Sequence, residues 1–163
     1  MKKVLVVMGS DSDLKVMEKC VDRLKSFGIP TEVRICSAHR TPAVAEQLAK
    51  NAAGEGFGVI IAAAGKAAHL GGVLAAYTTL PVIGVPMATS VMGGMDSLLS
   101  IVQMPKGIPV ATVAIDGADN AAILAAQMIA LSDEALAEKL AQFKADMAAE
   151  VTAKDEKVRA QFA

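Results

Sequence analysis

The sequence predicts an α/β protein in which a parallel sheet of five strands lies between two layers of helices. Runs of apolar, often β-branched residues alternate with helical patterns five times along the chain, and this alternation is typical of βαβ units. The first run, Val4–Met8, is apolar throughout, as in strands that are buried on both faces. Apolar residues make up 53% of the chain but aromatic residues only 3%. We therefore expect a core of small and aliphatic side chains that lets helices pack closely on the sheet.

The first half of the chain divides into three strands and the helices between them. The strands are predicted at residues 4–8, 31–36 and 58–63. Apolar residues recur at helical spacing over residues 14–24, and Gly28 supplies the C-terminal stop. A second helix is predicted at residues 42–53, because Thr41 suits the N-cap and Pro42 suits the first helical position.

The second half continues the alternation with two more strands. These strands are predicted at residues 81–85 and 109–115. The helices are predicted at residues 73–77, at residues 95–104, and from the capping residues 116–120 through Leu131. Pro105 ends the middle one of these helices, because proline cannot continue the backbone hydrogen bonding.

The expected topology brings the strand-to-helix loops together. Right-handed crossovers favour a flavodoxin-like strand order of 2-1-3-4-5, with residues 1–163 in one domain. Every strand-to-helix loop of a parallel sheet lies at its carboxyl edge, which here collects residues 9–13, 37–42, 64–72, 86–94 and 116–120. His39 and His69, the only histidines, belong to two of these loops. The sequence therefore predicts a ligand site at this edge, near the switch point between the first and third strands.

The loop Ser37–Pro42 combines two groups that suit chemistry on an anion. His39 can carry protons near neutral pH. Arg40 and the free amides of the following helix start suit a phosphate or a carboxylate. A capped turn with two solvated side chains is the alternative interpretation of this hexapeptide.

The loop Gly9–Asp13 offers hydroxyls and amides for a phosphate, and the Asp13 carboxylate can accept hydrogen bonds from ribose hydroxyls. A plain N-cap is the alternative. The chain has no P-loop, dinucleotide-binding or zinc-ligand spacing. Asp11 and Asp13 could hold magnesium in principle, but we predict no metal. These patterns favour a phosphate and ribose site with proton transfer by one or two histidines.

A last helix, predicted over residues 132–160 with Ser132 able to cap it, is long for this domain. The helix would be roughly 40 Å long, whereas a domain of this size has a radius of gyration of only about 15 Å. Its apolar stripe consists of Leu136, Leu140, Phe143, Met147 and Val151. We expect part of the stripe to overhang the domain and pack on a neighbouring subunit; a solvated tail is the alternative.

Charge and cysteine content limit the partners. With 16 basic and 17 acidic residues the net charge is −1. This balance does not indicate binding to nucleic acid or to a membrane surface. No apolar run is long enough for a signal peptide or a membrane span. Cys20 and Cys36 are expected to be free thiols in the cytoplasm.

Several segments in order resemble the carboxyaminoimidazole ribonucleotide mutase family of purine biosynthesis. They are residues 9–13, 37–42, 64–70, 96–105, 107–110 and 120–131. The resemblance implies a homo-octamer that converts N5-carboxyaminoimidazole ribonucleotide into the isomer with its carboxylate on carbon 4 of the imidazole. It implies no metal, ATP, biotin or other cofactor.

The resemblance also implies roles for residues of this chain. His39 would be the general acid and base, and Ser10, Asp13 and Arg40 would bind the ribonucleotide. The pocket would be lined by Ser12, Ser37, Ala38, Gly65, Ala67, Ala68, His69 and Leu70. Among these, Ala67, Ala68 and Leu70 could form the apolar wall that holds carbon dioxide.

Two positions differ from the usual mutase pattern. Lys66 replaces a small residue and Gly71 replaces a proline. A related group that carboxylates aminoimidazole ribonucleotide directly has a basic residue at the position of Lys66. That group usually has Lys where this chain has Arg40, and Ser-Asn in place of Ala67-Ala68. The sequence therefore favours the mutase and leaves direct carboxylation, or a non-catalytic nucleotide-binding module, as alternatives.

Overall fold

A computed structural model describes residues 1–163, and its five parallel strands confirm the predicted flavodoxin-like order β2-β1-β3-β4-β5. The strands are β1 (Lys3–Met8), β2 (Thr31–Ile35), β3 (Phe57–Ala64), β4 (Val82–Pro86) and β5 (Ala111–Thr112). The helices are α1 (Leu14–Ser26), α2 (Pro42–Ala52), α3 (Leu70–Tyr77), α4 (Met95–Val102), α5 (Ala118–Ala130) and α6 (Glu134–Gln161). One turn of 3-10 helix, Asp11–Asp13, precedes α1.

Each face of the sheet carries its own apolar core, because successive side chains of a strand point to opposite faces. Val4, Val6 and Met8 of β1 pack with residues of α1 and α5 on one face. Leu5 and Val7 pack with residues of α2, α3 and α4 on the other. Alanines form much of α5's buried side, so the helix lies close to the strands. The arrangement has three layers, as the alternation of strands and helices predicts.

The fifth strand is much shorter than the predicted residues 109–115. Only Ala111 and Thr112 pair with β4, which is their single neighbour at this edge of the sheet. Pro109 lacks an N–H to donate. Past the strand the chain turns at Asp116, whose φ is +55° and whose N–H donates to the carbonyl of Pro86 at 2.8 Å.

Helix α3 begins at Leu70, three residues before the predicted residues 73–77. His69 occupies the N-cap position, and its carbonyl accepts from the N–H of Val73 at 2.9 Å. Gly71 therefore lies inside the helix. It is buried there, and a Cβ at this position would be in van der Waals contact with Val110 and Ala62. Tertiary packing thus outweighs the low helix propensity of glycine.

Helix α6 is anchored at its start and exposed along the rest of its length. The Asp133 carboxylate caps it by accepting from the N–H of Leu136 at 3.1 Å. The predicted Ser132 cap is wrong, because that hydroxyl donates to the carbonyl of Ile129 instead. Leu136 is fully buried, whereas all residues from 144 to 163 are exposed. None of the six helices combines the length and apolar character that a membrane span requires.

Candidate functional site

An open cleft of about 670 Å³ lies at the carboxyl edge of the sheet. Residues from four of the five predicted loops line it: Gly9, Ser10, Ser12, Asp13, Ser37, Ala38, His39, Arg40, Ala64, Gly65, Lys66, Ala67, His69, Leu70, Met87, Ala88, Thr89 and Ser90. The fifth loop, residues 116–120, does not line the cleft. It acts through Asp116, whose carboxylate accepts from the N–H of Ala88 at 2.9 Å and so fixes the loop after β4.

The cleft contains all the residues that sequence reasoning selected except Ala68. This side chain is only 1% exposed and packs in the core between the sheet and α2 and α3. Of the three residues expected to form the apolar wall, Ala67 and Leu70 line the cleft. The loop after β4 contributes Met87, Thr89 and Ser90, which the sequence reasoning did not select.

Two imidazole rings from separate crossovers touch in this cleft. Nε2 of His39 lies 2.8 Å from Nδ1 of His69, with ring centroids 4.9 Å apart and planes at 77°. At this distance one nitrogen donates and the other accepts, so the tautomers of the two rings depend on each other. Both side chains are exposed to the cleft, where they can meet a ligand.

The loop that carries His39 is closed by hydrogen bonds between its ends. The Thr41 hydroxyl accepts from the N–H of Ser37 at 3.1 Å and donates to the Ser37 carbonyl at 3.0 Å. Thr41 occupies the predicted N-cap position before Pro42, but its hydroxyl makes no cap bond to α2. The Ser37 hydroxyl accepts from the N–H of Arg40 at 3.2 Å. A tight turn thus presents His39 and Arg40 together.

Arg40 also reaches the first loop of the sheet. Its Nη2 donates to the carbonyl of Gly9 at 3.1 Å, while its guanidinium remains exposed at the cleft. The Ser10 hydroxyl accepts from the N–H of Ser12 at 3.3 Å and caps the 3-10 turn. A guanidinium, serine hydroxyls and a helix start therefore meet at one end of the cleft, a combination that suits a phosphate.

Asp13 is the buried acid of the site. Its side chain is only 8% exposed and accepts from the Ser12 hydroxyl at 3.3 Å. Burial raises the pKa of the Asp13 carboxyl above its usual value, and the charges of Asp116 and Asp11 add to this effect. Hydrogen bonds from Ser12 and Ser10 partly offset the rise in pKa. Asp13 thus lines the cleft as an acceptor that is little hydrated.

Lys66 stands in a backbone conformation that is uncommon for a residue with a side chain. Its φ is +57°, in the left-handed region that costs an L-residue roughly 1–2 kcal/mol. Its N–H donates to the Ser97 hydroxyl at 3.0 Å. Its carbonyl lies 3.3 Å from the Ser100 hydroxyl, whose shorter bond of 2.7 Å goes to the carbonyl of Asp96. The buried Ser97 hydroxyl in turn donates to the carbonyl of Met87 at 2.8 Å. Helix α4 therefore joins the loops after β3 and β4.

A glycine sets the position of that helix. A Cβ at Gly84 in β4 would collide with the side chain of Ile101 in α4, so glycine is what lets α4 lie against the strand. The roles of Ser97, Ser100 and Gly84 were missed from the sequence. The only signal available for them was the segment 96–105, which entered through the family resemblance rather than through a motif with its own chemistry.

The family model described as AIR carboxylase matches residues 3–150. The chain belongs to the AIR carboxylase family. A protein of Methanocaldococcus jannaschii described as N5-carboxyaminoimidazole ribonucleotide mutase is 53% identical, covering 98% of this chain and 99% of its own. A chloroplastic phosphoribosylaminoimidazole carboxylase of Vigna aconitifolia is 51% identical, over 86% of this chain and 25% of its own.

The comparison with solved structures finds the same fold. The PurE protein of Treponema denticola superposes with a TM-score of 0.84 at 30% identity, covering 94% of this chain and 96% of its own. The fold and the family resemblance that the sequence indicated are thereby confirmed.

The charges of the cleft suit a ligand with negative groups. This member of the AIR carboxylase family presents two cations there, Arg40 and Lys66, and one carboxyl group, Asp13. No three His, Cys, Asp or Glu side chains converge closely enough to hold a metal ion. The groups that can move protons are the paired imidazoles of His39 and His69.

Proposed function

We propose that the protein converts N5-carboxyaminoimidazole ribonucleotide into 4-carboxy-5-aminoimidazole ribonucleotide, an isomerisation in purine biosynthesis. The single observation that carries the proposal is the contact of His39 with His69 in a cleft that also holds a guanidinium and a buried carboxyl group. The proposal is supported by relatives at 53% identity whose descriptions name this mutase activity.

The ribonucleotide lies across the cleft in this proposal. Arg40 and the hydroxyls of Ser10 and Ser37 bind its phosphate, beside the start of the 3-10 turn. The carboxyl group of Asp13 accepts from the ribose hydroxyls. The remaining side of the cleft surrounds the imidazole with Ser12, Ala38, Gly65, Ala67, His69 and Leu70.

The chemistry needs one proton that is delivered and then recovered. An imidazolium at His39 protonates the carbamate nitrogen, and the bond between this nitrogen and the carboxyl carbon breaks to release carbon dioxide. Carbon 4 of the imidazole then attacks the carbon dioxide. The hydrogen on carbon 4 leaves as a proton to His39, which restores the aromatic ring and the imidazolium. The sequence of steps is balanced and consumes no other reactant.

His69 positions the acid and base in this scheme. Its Nδ1 lies 2.8 Å from Nε2 of His39, so the direction of this hydrogen bond selects the tautomer of His39. Ala67 and Leu70 supply the apolar wall against which released carbon dioxide is held. Ala68 lies beneath this wall rather than on it.

Direct carboxylation of aminoimidazole ribonucleotide is the second candidate, because Lys66 places a basic group in the cleft as in that related group. Supplying each substrate separately distinguishes the two. Conversion of the N5-carboxylated substrate without added bicarbonate supports the mutase. Conversion only of aminoimidazole ribonucleotide with bicarbonate contradicts it. A non-catalytic nucleotide-binding module would convert neither substrate and would retain nucleotide or flavin on purification.

The same proposal includes assembly. The 163 residues act as one mutase-like unit, and the exposed part of α6 packs on a second copy of the chain, within a homo-octamer in the cytoplasm. In support, Met147 and Val151 of the apolar stripe are 42% and 66% exposed in the single chain. Burying this surface against a partner would remove apolar area from water.

A further inference from the structure

We propose that Lys66 determines specificity by binding the carboxylate that migrates during the reaction, through its ammonium group. This inference rests on the proposed function and deepens it. Lys66 lines the cleft and is exposed there. The four ion pairs of the structure join other residues, so the Lys66 ammonium is available to a ligand.

The backbone of Lys66 is held although its conformation is unfavourable. Its left-handed φ of +57° is maintained by the Ser97 hydroxyl, which accepts from its N–H at 3.0 Å. Non-glycine residues in this region cluster at ligand sites, where the surrounding structure fixes them. The peptide of Lys66 is therefore tied to α4, while its side chain remains free in the cleft.

The two anionic groups of the substrate can be assigned to the two cations of the cleft. Arg40 belongs to the end where serine hydroxyls and the 3-10 turn meet, and it also borders a smaller adjoining pocket. Lys66 does not border that second pocket. With the phosphate at the Arg40 end, the remaining cation faces the remaining anion, which is the carboxylate on the imidazole.

The position of Lys66 within its loop supports this assignment. It lies three residues before His69, whose ring contacts the proposed acid and base. The ammonium is a compact charge with three donors, which suits a carboxylate that leaves the carbamate nitrogen and returns at the neighbouring carbon 4 of the ring. Binding at this point favours the carboxylated nucleotides over the decarboxylated one.

The inference is tested by comparing affinities for two nucleotides. Calorimetric titration gives the affinity for 4-carboxy-5-aminoimidazole ribonucleotide and for 5-aminoimidazole ribonucleotide, which lacks the carboxylate. In Lys66→Met, the affinity for the carboxylated nucleotide is expected to fall about tenfold, as for a lost charge-assisted hydrogen bond. The affinity for the decarboxylated nucleotide is expected to stay within about twofold. Lys66→Arg keeps the charge and is expected to restore most of the loss.

Two results would overturn this role for Lys66. Equal losses for both nucleotides would assign the ammonium to the phosphate or to the shape of the cleft, and unchanged affinities would leave it without a ligand contact. The proposed function is tested separately, by turnover of N5-carboxyaminoimidazole ribonucleotide in the unmodified protein. A protein that turns over this substrate and shows either of those two results loses only the Lys66 assignment.

Discussion

Nε2 of His39 lies 2.8 Å from Nδ1 of His69, although the two residues are 30 positions apart in the chain. One ring reaches the cleft from the loop after β2 and the other from the N-cap of α3. If both rings were doubly protonated, two N–H groups would face each other and the contact would be lost. The pair therefore carries at most one positive charge while the contact exists, which suits a group that delivers one proton and takes it back.

Replacing His39 separates binding from proton transfer. His39→Asn keeps an amide that can bond His69 but removes the titrating ring. We expect the turnover rate to fall roughly 100- to 10,000-fold, with product affinity within about threefold of the unmodified protein. Rate measurements on N5-carboxyaminoimidazole ribonucleotide, with calorimetry for binding, check this. Near-normal turnover in the variant would contradict the role of His39.

Replacing Lys66 by glycine is expected to stabilise the protein. The left-handed conformation costs an L-residue roughly 1–2 kcal/mol, and glycine removes this cost. The greater conformational freedom of glycine in the unfolded chain offsets roughly 0.5–1 kcal/mol of the gain. The bond from the backbone N–H of residue 66 to the Ser97 hydroxyl remains. We expect a gain of about 0.5–1 kcal/mol in the free energy of unfolding, measured in urea.

Lys66→Ala is the matched control for this stability gain. Alanine removes the ammonium and the side-chain stem but retains a Cβ and therefore the conformational penalty. Its free energy of unfolding should be no higher than that of the unmodified chain. A glycine variant that is no more stable than the alanine variant would show that the surrounding loops, rather than φ, dominate the energy at this position.

Asp13→Asn is expected to raise stability near pH 7 and to weaken ligand binding. Because burial raises the pKa of Asp13 in the folded state, its protonated form stabilises the fold relative to its charged form. The stability that Asp13 contributes is complete below its ordinary pKa of 3.8 and is lost as the pH rises through the higher folded value. Asparagine mimics the neutral acid, so its advantage should be largest at pH 7 and should fade towards pH 4.

Urea unfolding of both proteins across this pH range measures the effect of Asp13→Asn on stability. Loss of the charged acceptor should also lower the ribonucleotide affinity about 10- to 100-fold, as for a hydrogen bond to an ionised group. A stability difference that is independent of pH would mean that the Asp13 carboxyl group is not penalised by burial.

Removing residues 145–163 is expected to reduce the assembly without unfolding the subunit. This truncation retains Leu136 and Phe143, whose ring packs edge-on against Phe27 at 5.5 Å. It also retains Lys139, whose Nζ donates to the carbonyl of Phe27 at 3.0 Å. Sedimentation gives the assembly state, and circular dichroism reports the fold. The matched test in the full chain is the double change Met147→Glu with Val151→Glu, which should also reduce the assembly. A truncated protein that keeps its full assembly state would contradict the proposal.

The periodicity of the sequence was sufficient to predict the strands and helices, and the right-handed crossover rule then favoured the observed strand order. Strands with long apolar runs, and helices that end at a glycine or proline, were predictable because they depend on local patterns and on burial. The extent of β5 was wrong because strand length at an edge depends on pairing with one neighbour, and only Ala111 and Thr112 pair. The start of α3 was wrong because packing of Gly71 against the sheet is a tertiary effect.

The site was predictable where its residues lie at the ends of strands. The predicted topology was enough to place the loops of His39 and His69 at one edge of the sheet. It could not predict the distance between the two rings or the direction of their hydrogen bond. The link from Lys66 through Ser97 to Met87 depends on bonds between distant segments, and no local pattern encodes them. Ala68 packs in the core although its neighbour Ala67 lines the cleft, because adjacent residues of a loop can face opposite sides.

The fate of a labelled carboxyl group tests the central claim most directly. The protein is given N5-carboxyaminoimidazole ribonucleotide with a carbon-13 carboxylate, in buffer that contains unlabelled bicarbonate. The account predicts that the label is retained in the 4-carboxylate of the product, since the carbon dioxide stays in the cleft between the two steps. Product that carries mainly unlabelled carboxylate would show that free carbon dioxide is the donor and would contradict the mutase.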